Sequence, residues 1–202
     1  VRLPARSFGE EVALRMLPFV FWLSQYVDLD FGGGEGGGLP VPYGVDIAPN
    51  GDVWFSQLNA HRIGRIDPET LEVTMIDTPF TAPRRMRFDS KGNLWIPGFS
   101  SNLLSRFDPE TLEFENFELP IEPIGTETPY SLNVDLRTDT VWICGPNRDT
   151  LISFDSAAEE FTIYPLPTPT PYTRDIDFHA NGSVGTSNSN APAWQIETGA
   201  PR

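Results

Sequence analysis

Three stretches of the sequence follow one pattern: PYGVDIAPNGDVWFSQ (42–57), PRRMRFDSKGNLWIPG (83–98) and PYSLNVDLRTDTVWICG (129–145). A fourth stretch, PYTRDIDFHANGSVGTSN (171–188), has the same plan. Each opens with a proline, continues with alternating apolar residues, passes through a turn and enters a second apolar run. The repetition indicates that one structural unit is copied along the chain.

Two sets of landmarks keep the same register outside these stretches. The tryptophans of the second apolar run are 41 and 47 residues apart, and so are the aspartates that open a later turn. The residues are Trp54, Trp95 and Trp142, and Asp67, Asp108 and Asp155. A fixed period of about 40 to 50 residues is typical of β-propellers and solenoids.

Each repeat has the two-residue hydrophobic period of half-buried strands. In the first repeat, strands are predicted at 43–48, 52–57, 61–66 and 71–77. Asn50-Gly51 suits a tight hairpin between the first two strands, because both residues tolerate a positive φ. The repeat is therefore predicted to be a four-stranded antiparallel meander, whose two faces need a neighbouring sheet on each side.

The predicted fold class is all-β, a β-propeller fragment of about three and a half four-stranded blades with an N-terminal helix. The blades are expected at 39–81, 82–127, 128–170 and an incomplete 171–202. Closed propellers usually have at least four blades, so we expect the biological molecule to be longer. An open arc would expose a blade face at each end.

The first 38 residues differ in character from the repeats. Ser7 and Glu10 have the spacing of a capping box, which predicts a helix in the segment that follows. Pro18 would bend that helix, and the charged residues Glu11 and Arg15 make it a poor membrane span. The run FGGGEGGG (31–38) is predicted to be a flexible joint.

Composition excludes several functions. The chain has 28 acidic and 14 basic residues, a net charge of −14 that disfavours nucleic acid and anionic membrane surfaces as partners. The single cysteine, Cys144, excludes an internal disulfide. The two histidines, His61 and His179, are too few for a three-histidine zinc site, and both are predicted near turns.

The repeats resemble the streptogramin (virginiamycin B) lyase family over about residues 42–197. The first repeat matches best, through Pro42-Tyr43-Gly44-Val45, the run Asn50 to Phe55, and the run Arg62 to Asp67. The resemblance implies a seven-bladed propeller that opens the ester bond of a cyclic depsipeptide by elimination. It also implies a divalent cation, Mg²⁺ or Ca²⁺.

The same resemblance places a catalytic histidine after the opening proline and a catalytic glutamate three residues after the tryptophan. The first position holds other residues in all four repeats: Tyr43, Arg84, Tyr130 and Tyr172. The second position holds no glutamate in any repeat: its residues are Gln57, Gly98, Gly145 and Asn188. No catalytic residue can be transferred to this chain, and whether it is an enzyme stays open.

The starts of the blades should converge on the propeller axis and line a central channel. The candidate ligand-binding residues there are Tyr43, Gln57, Arg84, Arg85, Tyr130, Tyr172, Arg174 and Asn188. Tyrosine and arginine suit carbonyl, carboxylate or aromatic groups. Alternatively, the tyrosines separate adjacent blades and the arginines neutralise Asp46 and Asp177, two aligned carboxylates that could also hold Ca²⁺ or Mg²⁺.

Two functions follow as hypotheses. The first is a periplasmic or secreted lyase-like propeller acting on cyclic depsipeptides or related metabolites. The second is a non-catalytic propeller that binds a small molecule, a peptide-like ligand or a protein. In either case further blades or a fused domain are expected in the full-length protein, and no membrane insertion is expected.

Overall fold

The computed structural model describes residues 41–121, 123, 128–145, 147, 149–167, 172–188 and 194–196. The predicted N-terminal helix and glycine joint lie outside these residues. The described chain is all-β, with fifteen strands in four antiparallel sheets. In this part of the chain, no helix has the length and apolarity needed to cross a membrane.

Each sheet corresponds to one predicted blade. Blade 1 contains β1 (Pro42–Ile47), β2 (Val53–Gln57), β3 (Arg62–Ile66) and β4 (Val73–Asp77). Blade 2 contains β5 (Arg87–Phe88), β6 (Leu94–Gly98), β7 (Leu103–Asp108) and β8 (Glu113–Glu118). Blade 3 contains β9 (Ser131–Asp135), β10 (Thr140–Cys144), β11 (Thr150–Asp155) and β12 (Glu160–Pro165). Blade 4 contains β13 (Thr173–Phe178), β14 (Val184–Asn188) and β15 (Trp194–Ile196).

The strands of every blade pair in sequence order, which confirms the predicted meander. The bounds of β1 to β4 fall within two residues of those predicted from hydrophobic alternation. Gly51, Gly92 and Gly182 occupy the hairpin between the first two strands of blades 1, 2 and 4, each with φ near +90°. Glycine is needed there because this φ is costly for other residues.

The recurring tryptophans lie between successive blades, as the repeat register predicts. Trp54 is 1% exposed and packs edge-to-face on Phe107 of blade 2, with ring centroids 5.4 Å apart. Trp95 is fully buried and packs in the same way on Phe154 of blade 3, at 5.6 Å. Trp142 belongs to the apolar cluster between blades 3 and 4. Blades 1, 2 and 3 therefore each bury a tryptophan against the next blade.

The first strands of the blades lie side by side, with β1 beside β5, β5 beside β9, and β9 beside β13. This order places the starts of the four blades around one axis. The far face of blade 1 is open, because Val45 and Ile47 are 54% and 62% exposed. Their counterparts in blade 2, Met86 and Phe88, are 0% and 7% exposed.

Blade 2 has a buried carboxylate at a position where blade 1 has alanine. Asp89 is 3% exposed and accepts hydrogen bonds from the backbone N–H groups of Lys91 and Asn93, from the Asn93 amide, and from the Trp95 indole at 2.9 Å. Ala48 occupies the equivalent position in blade 1. The buried Trp54 indole N–H has no hydrogen-bond partner among the described residues.

Asp89→Ala should lower the free energy of unfolding by about 3 kcal/mol, because it leaves several buried donors without an acceptor. Urea unfolding of the purified chain measures the change. The control is Asp67→Ala, whose carboxylate accepts two exposed backbone N–H groups. Its expected cost is much smaller, because water can replace the lost acceptor at exposed N–H groups. Equal costs for the two variants would contradict the role given to Asp89.

The landmark aspartates cap the turns between the third and fourth strands. Asp67, Asp108 and Asp155 each accept hydrogen bonds from the backbone N–H groups two and three residues later. These hydrogen bonds favour the ionised carboxylate and hold the pKa of each aspartate below its ordinary value.

These depressed pKa values predict a loss of stability in acid. The contribution of each aspartate is complete above the unfolded-state pKa of about 3.9 and disappears as the pH falls through the lower folded-state pKa. The triple variant Asp67→Asn, Asp108→Asn, Asp155→Asn keeps acceptor oxygens but cannot titrate. Its free energy of unfolding, measured with urea from pH 5 downward, should fall less steeply than that of the wild type. Parallel curves would refute the link.

Candidate functional site

Arginine and aromatic side chains from all four blades meet where the first strands begin. We call this group the axial cluster: Tyr43, Arg84, Arg85, Phe99, Tyr130, Arg174 and Asp175. Three guanidinium groups and one carboxylate give it a net positive formal charge in a chain whose net charge is −14. Tyr172 lies at its edge, 39% exposed, with the Arg174 guanidinium 6.0 Å from its ring centroid.

The opening proline of each blade helps to position the residue after it. Since proline has no N–H, the residue after it is the first to donate a backbone hydrogen bond to the second strand in blades 2 and 3. Arg84 N donates to Pro97 O at 3.2 Å, and Tyr130 N donates to Cys144 O at 2.8 Å. The two side chains are therefore anchored at equivalent points of blades 2 and 3.

Blades 1 and 2 are joined directly beneath Arg84. The fully buried Ser56 hydroxyl accepts a hydrogen bond from Gly44 N at 2.9 Å and donates one to Arg84 O at 2.8 Å. A Cβ atom on Gly44 would lie 2.6 Å from Arg84 O, so only glycine permits this approach. The contact fixes the separation between Tyr43 and Arg84.

Arg84 is held by aromatic rings. Its Cζ atom lies 3.4 Å from the ring centroid of Phe99, 4.5 Å from that of Tyr130 and 5.2 Å from that of Tyr43. Its Nη1 donates a long hydrogen bond of 3.4 Å to the Tyr43 hydroxyl, and its buried Nε has no partner among the described residues. Burial lowers the pKa of the Arg84 guanidinium, which nevertheless remains charged.

The hydroxyls of Tyr43 and Tyr130 share a short hydrogen bond. Tyr43 donates to Tyr130 at 2.6 Å, and the Arg174 guanidinium lies 4.6 Å from the Tyr130 ring centroid. The hydrogen bond from Tyr43, together with Arg174, lowers the pKa of Tyr130. Burial, and then the same hydrogen bond, raises the pKa of Tyr43. Loss of a proton from the pair is therefore easier at Tyr130 than at Tyr43.

Arg85 is neutralised, as the alternative hypothesis for the arginines suggested, but by a carboxylate that the sequence did not single out. Its Nη1 is 2.9 Å from Asp175 Oδ2, and Asp175 Oδ1 accepts a weak hydrogen bond from Ser131 at 3.4 Å. In the described chain, Arg84 forms no ion pair with any carboxylate.

The structure brings together five predicted site residues: Tyr43, Arg84, Arg85, Tyr130 and Arg174. Gln57 lies across from Pro42 at the end of β2. Its side chain is fully buried, and neither its amide nitrogen nor its amide oxygen has a hydrogen-bond partner among the described residues. Asn188 ends β14 with its backbone paired to Thr173. The ligand-binding role of all eight candidates stays a prediction.

Phe99 and Asp175 are cluster members that the sequence interpretation missed. Phe99 follows Gly98, the position that Gln57 occupies in blade 1, and a search of the residues after the second strand could have found it. Asp175 lies at a register irregularity of β13, between Thr173 and Asp175. Blade 1 has a similar irregularity between Pro42 and Val45, but no carboxylate there.

The histidines and aligned aspartates form no catalytic or metal centre in the part of the chain described. His61 Nδ1 accepts a hydrogen bond from Ala82 N at 3.1 Å, which ties blade 1 to the segment before blade 2. Asp46 Oδ2 accepts from Phe88 N at 2.8 Å, and Asp177 Oδ1 from Phe178 N at 2.8 Å. No described group of three or more His, Cys, Asp or Glu side chains could hold a cation, so this donor set does not fit Mg²⁺ or Ca²⁺.

Solved structures share this blade arrangement. The virginiamycin B lyase of Staphylococcus aureus matches with a TM-score of 0.65 and 22% identity, over 80% of this chain and 57% of that protein. The chain shares the propeller fold of the streptogramin lyases. The resemblance seen in the repeats is thereby confirmed at the level of fold, although the chain spans little more than half the length of the lyase.

Structures of proteins that are not described as lyases match with similar TM-scores. Hydrazine synthase of Kuenenia stuttgartiensis has a TM-score of 0.67 at 14% identity, over 87% of this chain and 49% of that one. The extracellular domain of a putative one-component system of B. thetaiotaomicron has a TM-score of 0.60 at 16% identity, over 75% and 20%. No protein-family model and no curated protein matches the chain.

Proposed function

We propose that these blades belong to a ligand-binding propeller whose axial cluster holds a small or peptide-like molecule by a carboxylate or carbonyl group. The observation that carries the proposal is the state of Arg84. Its charge is held against the rings of Phe99, Tyr130 and Tyr43, and no described carboxylate neutralises it. A guanidinium in this state retains donors for an oxygen-rich ligand.

The surroundings of Arg84 support a ligand with an apolar part as well. Phe99 and the tyrosines provide ring surface beside the charge, and a mixed aromatic and polar lining is typical of small-molecule sites. Arg174 adds a second guanidinium, 4.6 Å from the Tyr130 ring centroid. An N-acylated amino acid combines a carboxylate, a carbonyl group and an apolar side chain, and it is the simplest probe of this chemistry.

Arg84→Gln should weaken binding of N-acetylphenylalanine by about 10-fold to 100-fold, the loss expected when a charge-assisted hydrogen bond is removed. Isothermal titration calorimetry measures the affinity, and N-acetylphenylalanine amide tests the need for the carboxylate. Arg137→Gln is the matched control, since Arg137 is exposed and paired with Asp135. Equal affinities of the Arg84→Gln and Arg137→Gln variants for the probe would show that Arg84 does not bind it.

A second candidate function is ester elimination on cyclic depsipeptides. The streptogramin lyases among the structural matches favour it, and one match is a catalytically inactive virginiamycin B lyase with quinupristin, at 23% identity. The described residues lack the histidine and glutamate that the resemblance implies, and they do not fit a divalent cation. For this candidate, both the catalytic pair and the Mg²⁺ or Ca²⁺ ligands come from outside the described blades.

The full-length protein tests the lyase candidate with quinupristin as substrate. If the candidate is correct, mass spectrometry shows a linear product of unchanged mass, and EDTA stops its formation. A hydrolysed product, heavier by one water, would exclude elimination. If quinupristin stays intact even at high protein concentration, the lyase candidate is wrong and the ligand-binding function is favoured.

We also propose that the protein acts in the periplasm or after secretion. The match to an extracellular domain of a larger protein supports this location. In such an arrangement the propeller would sense or bind its ligand for a further domain. The partners proposed are therefore a small-molecule or peptide-like ligand together with further blades or a fused domain.

A further inference from the structure

A cavity of about 570 Å³ lies between blades 1 and 2, at the ends of their first strands. Blade 1 lines it with the turn at 48–52, with Trp54 of β2 and with Arg65 of β3. Blade 2 lines it with Phe88 and with the turns before β6 and β8. Because β1 has six residues and is therefore about 20 Å long, the cavity is well separated from the axial cluster at the starts of the strands. Its volume is typical of small-molecule sites, which measure about 300–1,000 Å³.

One wall of this cavity contains a buried hydrogen-bond donor. Trp54 is 1% exposed, and its indole N–H has no partner among the described residues. In blade 2 the equivalent indole, that of Trp95, donates to Asp89 Oδ2 at 2.9 Å. Ala48 occupies the position of Asp89 in blade 1 and lines the cavity together with Trp54.

The turns that carry Ala48 and Asp89 have the same backbone geometry. Ala48 N donates to Asp52 O at 2.9 Å, and Asp89 N donates to Asn93 O at 2.9 Å. The space that the Asp89 carboxylate fills in blade 2 is therefore part of the cavity in blade 1. By this equivalence the indole N–H of Trp54 faces the cavity beside Ala48, where a ligand oxygen can accept its hydrogen bond.

The charged lining of the cavity is richer in acceptors than in donors. Asp52 is 6% exposed, and its Oδ2 lies 2.6 Å from Arg65 Nε. Asp108 and Glu110 add two carboxylates from blade 2, and Lys91 adds a second cation. Three carboxylates against two cations give a formal charge of −1, which disfavours an anionic ligand. An ionised carboxylate accepts about four hydrogen bonds, so these groups keep capacity for the donors of a ligand.

We propose that this cavity is a second binding site, for a neutral polyhydroxylated compound such as a monosaccharide. A hydroxyl group both accepts and donates hydrogen bonds. One hydroxyl of the ligand accepts from the Trp54 indole, and its neighbours donate to the carboxylates of Asp52 and Asp108. Phe88 supplies apolar surface for the C–H groups of a sugar ring. The site shares no residue with the axial cluster, so it does not depend on the function proposed there.

The indole N–H of Trp54 provides a direct test by NMR. Its resonance in the isotope-labelled 202-residue chain is identified by its loss in Trp54→Phe. Titration with methyl β-D-glucopyranoside should move this resonance downfield, because a new hydrogen bond deshields the proton. The Trp95 resonance should stay in place, since its N–H already donates to Asp89. A Trp54 resonance that does not move at high sugar concentration would show that the cavity is not a sugar site.

Ala48→Asp introduces into blade 1 the acceptor that blade 2 has. The new carboxylate should move the Trp54 resonance downfield before any sugar is added. It should also weaken sugar binding at least about tenfold, because it occupies the site and takes the indole hydrogen bond. Ala158→Asp is the matched control, since Ala158 lies in an exposed turn of blade 3, and it should bind the sugar as the wild type does. Equal affinities of the two variants would overturn the proposal.

Two further measurements complete the test. Trp54→Phe keeps an aromatic ring but removes the N–H, so it too should weaken sugar binding about tenfold, which decides the matter if Ala48→Asp does not fold. Glucuronate has the same ring with an added negative charge and should bind more weakly than the neutral sugar. Equal or tighter binding of glucuronate would contradict the ligand class. N-acetylphenylalanine, the probe of the axial cluster, should leave the Trp54 resonance unchanged, so the two sites can fail separately.

Discussion

Burial of the recurring tryptophan of blades 1, 2 and 3 against the following sheet is the constraint from which the rest of the fold follows. A four-stranded meander has two apolar faces and cannot bury both by itself. Trp54 and Trp95 solve this by packing on Phe107 and Phe154, the third-strand residues of the next blades. Blade 4 has Gly185 at the corresponding position, paired with Asp177. Trp142 lies in the cluster between blades 3 and 4, so a tryptophan is present at all three interfaces of the described blades, and blade 4 is the first to lack one at this position.

This stacking also creates the axial cluster. Because the tryptophans set the spacing between sheets, the first strands of all four blades come side by side, and the residue after each opening proline projects into the same region. Ser56 then joins blade 1 to the backbone of Arg84 through two hydrogen bonds. A rigid scaffold holding a few polar groups at the ends of its strands is a common construction for binding sites.

The fold could be predicted from the sequence because the blade pattern repeats with a regular period. Residues of the site could be predicted only where they follow the same period. Tyr43, Arg84 and Tyr130 occupy one repeat position, so the register that predicts the blades also predicts their convergence. Phe99 and Asp175 do not follow from the register. Phe99 acts by stacking under a guanidinium from the same blade, and the position of Asp175 depends on an irregularity in β13. Side-chain direction at such points depends on packing between blades, which periodicity does not encode.

The electrostatics of the cluster explain why a positive site persists in an acidic protein. The turn aspartates accept hydrogen bonds from backbone N–H groups at the ends of the outer strands, and Asp175 forms an ion pair with Arg85. Arg84 is instead surrounded by rings, which attract a cation without neutralising it. Its donors are then shared between the Tyr43 hydroxyl, at 3.4 Å, and the oxygen of a ligand. A ligand carbonyl bound at Arg84 would lie beside the rings that hold the guanidinium, so one side chain supplies the charge and its aromatic neighbours supply the apolar contact.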